Sequence, residues 1–442
     1  MSTGEEFKVE SCVVTPSVET PRHGLWLSPL DVLKANRGHT QTIYLYRPDS
    51  GGVDDFFDVA RLKAAMAKAL VPFYPLAGRL GMDADGHVEI DCAGQGVLFA
   101  VGYSDLTVDD LSNFGASPEL TRLFVPRMED SPSVMCAVQV TFLKCGGVTL
   151  GTALHHAAVD GFSAFHFFQT WSSFSRDGNA AALDLPCHDR TLLRARSPPF
   201  VHPDALTMFR PKLPPCELPP TVHVVNEIFS ISKDQVAALK RACTGGSGAV
   251  STFCVVTAHV WRCLCTSRRL PPDTMTHLGF SANIRRSLRP PLPDTYFGNA
   301  IITLGAAGKA QDIIASEDNQ PLASVVSRIR GAITRMDDEL VRSAVDHMEL
   351  EMAGSLPAIL VGNNPLTDLW VVSWLGMPMY DADFGWGRPT VIHRAAHKNI
   401  GVAHLLDGQD GSLCILVALE HMILDDFRRL LYADMPTQPI KL

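Results

Sequence analysis

Two adjacent histidines, His155 and His156, are the residues of this sequence best placed for acid–base chemistry. They follow residues 148–154, a short apolar run without a helical period, which predicts a buried strand. A helix is expected to begin a few residues later. An imidazole has a pKa near neutrality, so at such a junction it can remove the proton of an attacking hydroxyl or amine.

The residues after the histidines distinguish the two rings. Only His156 has a carboxylate four positions later, Asp160, which falls where the N-terminus of a helix favours negative charge. The small side chains at 157 and 158 let other atoms approach closely. We therefore expect His156 to act as the base and Asp160 to orient the loop. The buried side of the following helix is expected to comprise Phe162, Phe165 and Phe168.

Other chemistry for the two histidines has less support. Neighbouring side chains on a strand point to opposite faces, and no H-E-x-x-H or cysteine pair is present, so we expect no metal site. The G-x-S-x-G and G-x-G-x-x-G patterns are absent, and residues 245–248 (GGSG) lack the lysine of a phosphate-binding loop. From the local pattern alone, a histidine that only packs in the core fits at least as well as a catalytic one.

The composition is that of an ordinary globular protein, with 46% apolar and 19% charged residues in a chain of 442. A net charge of −9 and the lack of a basic run argue against a nucleic-acid or membrane partner. The start of the chain has no apolar core typical of a signal peptide, and no run is long enough for a membrane span. The eleven scattered cysteines indicate free thiols, so we expect a cytoplasmic location.

A proline-rich stretch indicates where the chain crosses between domains. Residues 185–220 contain nine prolines, a density that breaks helices and strand ladders. We therefore expect an N-terminal domain over 1–185, a crossover linker over 186–220 and a C-terminal domain over 221–442. Both halves mix helix and strand signals, which predicts an α+β or mixed α/β fold. The expected helices cover 59–70, 252–265 after an N-cap at Ser251, 324–336 and 425–431, and a strand covers 413–419.

Two motifs together give the sequence a family resemblance. Residues 156–161 (HAAVDG) match H-x-x-x-D-G and residues 383–387 match D-F-G-W-G, in the order in which the plant BAHD acyltransferase family carries them. Residues 70–79 (LVPFYPLAGR) and 296–299 (YFGN) are similar to family segments as well. The segments that most closely resemble the hydroxycinnamoyl-CoA transferases are 39–44 (HTQTIY), 88–92 (VEIDC), 144–148 (KCGGV) and 373–374 (SW).

The resemblance implies two chloramphenicol-acetyltransferase-like domains, with mixed sheets flanked by helices and an active-site channel at their interface. It implies that His156 is the general base in a ternary complex and that Trp374 donates its indole N–H to the thioester oxygen. It also implies that D-F-G-W-G is structural, with Asp383 paired to Arg285. Acyl-CoA would be a co-substrate of a monomeric enzyme that has no permanently bound cofactor and no metal.

The same resemblance assigns binding roles. Thr42 and Tyr44 match positions that line the aromatic acyl or acceptor pocket, and His39 begins the same segment. Ser251 is a candidate CoA contact, although its expected place as a helix N-cap explains it equally well.

One departure from the family pattern concerns the acceptor. Members that use shikimate or quinate carry an arginine two residues after the tryptophan, where this chain has Gly376. Loss of such a charged contact to a carboxylate costs about 2–5 kcal/mol. The expected reaction is therefore transfer of a p-coumaroyl, caffeoyl or feruloyl group to an amine such as putrescine or another polyamine. The alternatives are O-acylation of shikimate, quinate or glycerol, thioester hydrolysis, and an inactive CoA-binding paralogue.

Overall fold

The chain folds into two compact units in a computed structural model that describes residues 9–48, 55–112, 118–182, 184–203, 222–243, 250–314, 321–354, 365–394 and 399–433. The first unit combines residues 1–195 with the later segments 291–300 and 377–396. The second unit comprises residues 196–290, 301–376 and 397–442. This division differs from the contiguous domains 1–185 and 221–442 expected from the sequence, because two later segments return to the first unit.

The elements follow one another in a mixed order of strands and helices. The strands are β1 (Val9–Val14), β2 (Gly24–Trp26), β3 (His39–Tyr46), β4 (Arg79–Met82), β5 (Val88–Asp91), β6 (Val97–Ser104), β7 (Cys136–Leu143), β8 (Val148–His155), β9 (Val224–Ile231), β10 (Met275–Asn283), β11 (Ile301–Lys309), β12 (Leu369–Ser373), β13 (Val391–Arg394), β14 (Val402–Asp407) and β15 (Leu413–Glu420). The α-helices are α1 (Pro29–Ala35), α2 (Val59–Ala69), α3 (Val108–Ser112), α4 (Pro118–Phe124), α5 (Gly161–Asp177), α6 (Lys233–Ala242), α7 (Thr252–Ser267), α8 (Ala310–Ile314), α9 (Pro321–Thr334), α10 (Asp338–Ala353) and α11 (Leu424–Tyr432). Short 3₁₀ helices cover Tyr74–Ala77, Gly178–Ala180, Arg190–Leu193, Met379–Asp381 and His421–Ile423.

The main sheet of the first unit has the strand order β1-β6-β7-β8-β3-β13. Its last strand, β13, comes from the segment 377–396 and runs antiparallel to β3, with Arg394 opposite Thr42. On the other side of β3, β8 is also antiparallel, with His155 opposite His39. A smaller sheet in the order β2-β5-β4 completes this unit. The two histidines of the sequence motif therefore stand at the end of a central strand.

The two faces of β3 bury different side chains, because residues alternate along a strand. Ile43 and Leu45 belong to an apolar core with Phe124 and other residues of the α3–α4 region. On the opposite face, the Tyr44 ring lies 5.6 Å from the Phe168 ring of α5. The sheet is thus covered on both sides, which fixes the end of β8 from which the histidines project.

Aromatic packing anchors the D-F-G-W-G segment in the first unit. The Phe384 side chain is fully buried, and its ring centroid lies 4.6 Å from that of Trp171 on α5. Trp386 stacks on Phe57 at 5.2 Å, and the Arg61 guanidinium lies 4.4 Å from the Trp386 ring centroid. These contacts bring β13 to the edge of the sheet beside β3, which is a structural use of the motif.

The second unit is built on one mixed sheet in the order β11-β10-β12-β14-β15-β9. β12 pairs in parallel with both β10 and β14, whereas the remaining pairs are antiparallel. The Ser251 hydroxyl accepts a hydrogen bond from the Cys254 amide at 3.1 Å, which caps α7 as the sequence predicts. Among the helices that the structure describes, none is both long and apolar enough to cross a membrane.

Most of the expected elements are confirmed, as α2, β8, α7, α9, α11 and β15. The expected burial of Phe162 is wrong, because its exposed fraction is 37%. The buried face of α5 follows the four-residue spacing of Ser163, Phe167 and Trp171, and Phe162 lies on the opposite side of the helix.

The expected linker over 186–220 lies partly inside the first unit. Its residues 186–195 belong to that unit, and the 3₁₀ helix Arg190–Leu193 buries both of its end residues. Residues 204–221 lie outside the described part of the chain. Proline density was therefore a poor guide to where the first domain ends, because a short proline-flanked segment can still pack in a core.

Replacing Phe384 with alanine should destabilise the protein. The substitution leaves a cavity among Trp171, Phe57 and Tyr46, and such losses lower the free energy of unfolding by about 3–5 kcal/mol. Thermal unfolding followed by near-UV circular dichroism would measure the change. Met82→Ala removes an apolar side chain with 72% exposure, so its effect should stay within about 0.5 kcal/mol. Equal shifts for the two variants would contradict the anchoring role.

Candidate active site

His156 is the first residue after β8, and its main chain is held from two sides. Its amide N–H donates to the Gly38 carbonyl at 2.8 Å, just before β3 begins. Its carbonyl oxygen accepts a hydrogen bond from the Asn299 side-chain amide at 2.8 Å. The position of the imidazole is therefore set by the turn before β3 and by the segment 291–300.

The side chain of Asp31 connects these two supports. Ser28 and Asp31 form a capping box that begins α1, which fixes the carboxylate at the helix N-terminus. Asp31 Oδ1 accepts hydrogen bonds from the Asn299 backbone N–H at 2.8 Å and from its side-chain amide at 2.9 Å. Asp31 Oδ2 lies 3.1 Å from Arg190 Nη1, in an ion pair whose side chains are 0% and 1% exposed.

Arg190 links Asp31 to the loop after the histidine. Its Nη1 donates to the Ala157 carbonyl at 3.1 Å and its Nη2 to the Ala158 carbonyl at 2.8 Å. Two carbonyl groups that would otherwise lie buried without partners are thereby satisfied. One carboxylate, one guanidinium and one amide thus hold three consecutive carbonyls, those of residues 156–158.

Asp160 ends the same loop and begins α5. Its Oδ1 accepts from the Ser163 amide at 3.0 Å, an N-cap, and its Oδ2 accepts from the Ala300 amide at 3.0 Å. The residue is 2% exposed. Both oxygens are directed at backbone amides, which supports the predicted orienting role and gives this carboxylate no direct part in proton transfer.

The surroundings of His156 keep its imidazole neutral. Burial, the largest cause, and the positive charges of Lys34 and Arg37 together lower the pKa of His156 to about 3. Its Nδ1 has no hydrogen-bond partner on any other residue in the described ranges. A general base must be unprotonated before it accepts a proton, and this arrangement meets that condition at neutral pH.

His155 and His39 lie together on the other face of the sheet. Their ring centroids are 4.9 Å apart in an edge-to-face arrangement. His39 Nε2 bonds to the Val134 carbonyl at 2.6 Å, and His155 Nδ1 accepts from the Ala157 amide at 3.2 Å. The His39 side chain is therefore used within the fold, and its expected part in substrate binding stays a prediction.

Thr42 and Tyr44 lie on the face of β3 that packs against α5. The Thr42 hydroxyl shares a hydrogen bond with the hydroxyl of Thr152 on β8. Tyr44 is 1% exposed, and burial raises the pKa of its phenol. Their expected place in an acyl or acceptor pocket stays a prediction, because both side chains contact protein atoms.

In the second unit, Trp374 and Gly376 follow β12 directly. Trp374 is 7% exposed, and its amide donates to the Leu405 carbonyl at 2.9 Å. Gly376 adopts a φ of 73°, a left-handed conformation that favours glycine, and its amide donates to Asp407 Oδ2 at 2.6 Å. The position that holds an arginine in shikimate-using members therefore has a carboxylate beside it.

Asp383 and Arg285 each have a local role in their own unit. Asp383 Oδ1 accepts from the amides of Gly385 at 2.8 Å and Gly387 at 3.0 Å, which shapes the D-F-G-W-G turn. The Arg285 amide donates to Asn283 Oδ1 at 3.0 Å. The expected pairing of Asp383 with Arg285 joins the two units and stays a prediction, as do the thioester contact of Trp374 and the CoA contact of Ser251.

Three residues of the candidate site were missed in the sequence. The Ser28-x-x-Asp31 pattern indicates a helix capping box, so the sequence alone could have pointed to Asp31. Asn299 lies in the segment 296–299, which was noted only for its family likeness. Arg190 had no signal, because it stood in the expected linker.

Three matches with known proteins cover nearly the whole chain. A profile described as the Transferase family matches residues 7–433. The chain is 44% identical to putrescine hydroxycinnamoyltransferase 1 of Oryza sativa subsp. japonica, over 97% of this chain and 98% of that protein. It is 39% identical to a hydroxycinnamoyl-CoA:5-hydroxyanthranilate N-hydroxycinnamoyltransferase of Avena sativa, over 95% of this chain and 98% of that protein.

Among solved structures, the fold matches that of vinorine synthase with a TM-score of 0.74. The match covers 98% of this chain and 99% of that chain at 22% sequence identity, so the likeness concerns the fold alone. It confirms the expected fold class, in which mixed sheets are flanked by helices in two units.

Replacing Asp31 with asparagine should destabilise the protein and slow acyl transfer. The variant leaves the Arg190 guanidinium buried without its counter-charge, which costs about 3–5 kcal/mol. In the double variant Asp31→Leu/Arg190→Met, apolar groups replace both charges, so the penalty of the unpaired guanidinium is removed. Only part of the stability should return, because the carbonyls of Ala157 and Ala158 and the amides of Asn299 lose their partners. Transfer should stay slow, because the carbonyls of Ala157 and Ala158 lose their donor. Thermal unfolding and product formation would be measured on both variants, and wild-type transfer by the double variant would contradict the positioning role.

The pH dependence of transfer should lack the usual acid limb of a histidine base. Because the pKa of His156 is about 3, the imidazole stays neutral when the pH falls through about 6.5, the ordinary histidine value. With a non-titrating hydroxyl acceptor, kcat/KM should be level from about pH 5 to 8. Lys34→Met should raise the pKa of His156, but burial, the larger cause, should still hold it below 6.5. A limb with its midpoint near 6.5 in the wild-type profile would contradict this assignment.

Proposed function

The chain belongs to the BAHD family of acyl-CoA-dependent acyltransferases, and on this premise we propose that it transfers a hydroxycinnamoyl group from CoA to an amine. The observation that carries the proposal is the neutral imidazole of His156, whose main chain is held by Gly38 and Asn299. The names of both relatives reported above specify a hydroxycinnamoyl donor and an acceptor that contains an amino group.

The proposed reaction has one addition and one elimination step. The amine nitrogen attacks the thioester carbonyl while His156 takes a proton from that nitrogen, which gives a tetrahedral oxyanion and an imidazolium. The Trp374 indole N–H is assigned to the oxyanion, a contact typically worth about 3–4 kcal/mol. Collapse breaks the C–S bond, and the CoA thiolate recovers the proton from His156. The products are an amide and free CoA, and no covalent enzyme intermediate forms.

An amine acceptor fits the second unit better than shikimate or quinate does. Gly376 supplies no cation for a carboxylate at the position where shikimate-using members have arginine. The carboxylate of Asp407, 2.6 Å from the Gly376 amide, would add repulsion there. Putrescine, another polyamine and an aromatic amine all fall within the proposed class, and O-acylation of glycerol or shikimate is the alternative.

The proposal also covers the setting of the enzyme. We place it in the cytoplasm as a monomer, with acyl-CoA as co-substrate and without a permanently bound cofactor, a metal, or a nucleic-acid or membrane partner. The cysteines in the described part of the chain are all free thiols, which suits a reducing compartment.

The decisive variant is His156→Gln, assayed with p-coumaroyl-CoA and a panel of amines and alcohols. Loss of the general base should lower kcat by at least about 100-fold. His166→Gln, a histidine of α5 whose Nε2 bonds to the Asp184 carbonyl, is the matched control and should retain transfer. Free CoA and the acylated product would be measured together.

The outcomes of this assay separate the alternatives. Near-wild-type transfer by His156→Gln would refute the base assignment. Release of CoA without acceptor would indicate a thioesterase, and a folded wild-type protein that binds the thioester without releasing CoA would indicate a silent paralogue. Faster transfer to shikimate or glycerol than to every amine would refute the amine proposal.

A further inference from the structure

Lys34 is a buried lysine beside the candidate active site that no step of the reaction uses. It lies in the last turn of α1 and is 9% exposed. The nearby acid on its own helix, Asp31, is engaged by Arg190 and Asn299. Within the described ranges no carboxylate pairs with the Lys34 amine. Burial and, after it, the positive charge of Arg37 lower the pKa of Lys34 to about 7, so a bound anion would favour its charged form.

Arg37 joins this lysine to the histidine. Its amide donates to the Lys34 carbonyl at 3.0 Å, and the carbonyl of the next residue, Gly38, accepts the His156 amide at 2.8 Å. Arg37 is exposed by its surface area, yet surrounding protein atoms withdraw its guanidinium from water enough to lower its pKa. It forms no ion pair with any residue that the structure describes. Lys34 and Arg37 therefore lie at the turn whose Gly38 carbonyl accepts the hydrogen bond from the His156 main chain.

The charged side chains that act most strongly on His156 are basic. Lys34, Arg37 and, more weakly, Arg394 of β13 each lower the pKa of the imidazole. The carboxylates nearest in the network, Asp31 and Asp160, are directed at Arg190 and at backbone amides. A buried ammonium without a counter-ion is unfavourable, and a ligand anion would relieve it.

The chemistry of the substrates identifies which of them can supply that anion. The phosphates of CoA are separated from the thioester by the long pantetheine arm, so they lie far from His156 when the carbonyl is in place. A hydroxycinnamoyl group has no charge at neutral pH. The acceptor is the remaining source of a negative group beside the histidine.

We infer that Lys34 and Arg37 form a carboxylate subsite, and that the acceptor combines its amine with a carboxylate, as an aminobenzoate does. This inference rests on the proposed function for the amine, although the subsite itself would serve a hydroxy acid equally. It places the cation for the acceptor in the first unit, whereas shikimate-using members have an arginine at the position of Gly376. A diamine such as putrescine would meet repulsion at this subsite.

A bound carboxylate would also improve the base. Lys34 and Arg37 lower the pKa of His156 in the free protein, and an anion between them would offset part of that effect. A base works best when its pKa approaches the working pH. The acceptor that fits the subsite would thus raise the proton affinity of the imidazole that activates it.

The test compares acceptors that differ only in the carboxylate. The wild-type protein would be assayed with p-coumaroyl-CoA and two matched sets, aniline against each aminobenzoate isomer and phenol against each hydroxybenzoate isomer, with putrescine alongside. The best carboxylate isomer should exceed its neutral partner in kcat/KM by about 10- to 100-fold, the usual size of a charged contact. Lys34→Met and Arg37→Gln should each reduce that ratio about tenfold while changing the neutral acceptor much less.

Lys68→Met is the control, because this half-buried lysine bonds to Asn179 on the surface of the first unit. It should keep the wild-type ratio. Arg37 is exposed, so Arg37→Gln tests the subsite even if the change at Lys34 impairs folding. A carboxylate preference confined to the phenol set would uphold the subsite and refute the amine proposal, which separates the two claims.

Five results would overturn the inference. Three concern the acceptor: a wild-type ratio near one in both sets, a ratio that survives both substitutions, and a preference for putrescine over every carboxylate acceptor. The fourth is an equal fall of kcat for charged and neutral acceptors, which would assign the cations to the reacting carbonyl. The fifth is a rise in KM for the thioester alone, which would assign them to CoA.

Discussion

The buried ion pair between Asp31 and Arg190 is the interaction on which the arrangement of this site depends. A carboxylate and a guanidinium removed from water lose several kcal/mol of hydration each, so the pair alone is a weak source of stability. Its main effect is to fix geometry. Ser28 donates two hydrogen bonds to Asp31 within the capping box, and the other described side-chain hydrogen bonds of the pair go to the carbonyls of residues 157–158 or to Asn299. The carbonyls of residues 156–158 are thereby fixed, and with them the main chain that carries the imidazole.

This requirement explains why the first unit is discontinuous in sequence. Asp31 and Arg190 lie in residues 1–195, Asn299 lies in the segment 291–300, and the β13 strand that closes the sheet beside β3 comes from the segment 377–396. Local structure supports three of these places: a capping box at Ser28, a 3₁₀ helix at Arg190 and the aromatic packing of Phe384. The hydrogen bonds and the ion pair among Asp31, Arg190 and Asn299 then connect these segments. A contiguous domain ending at residue 185 would lack the guanidinium, the amide and the edge strand.

Local signals in the sequence were sufficient for most of the elements, whereas the catalytic role of His156 rests on the family resemblance and stays a prediction. The strand before His156, the helix after it and the N-cap at Ser251 follow from periodicity and capping chemistry, which act within a few residues. The failures have different causes. Phe162 was placed by a three-residue spacing that drifts around a helix, and Arg190 was assigned to a linker because nothing nearby reveals a partner 159 positions earlier in the chain. The effect of Lys34 and Arg37 on His156 was equally hidden, because long-range proximity of charges has no sequence period.

The positive surroundings of His156 also bear on how binding energy can enter catalysis. Binding and protonation are linked, so an anion that raises the proton affinity of the imidazole must itself bind more tightly once the imidazole is protonated. In the proposed reaction that proton arrives as the amine attacks, so a carboxylate between Lys34 and Arg37 would be held more strongly in the transition state than in the ground state. Interactions that strengthen only there accelerate the chemical step, whereas uniform binding does not. Cations that lower the pKa of a base in the free protein can therefore favour one acceptor in two ways. They can bind it more tightly, and they can speed its chemical step.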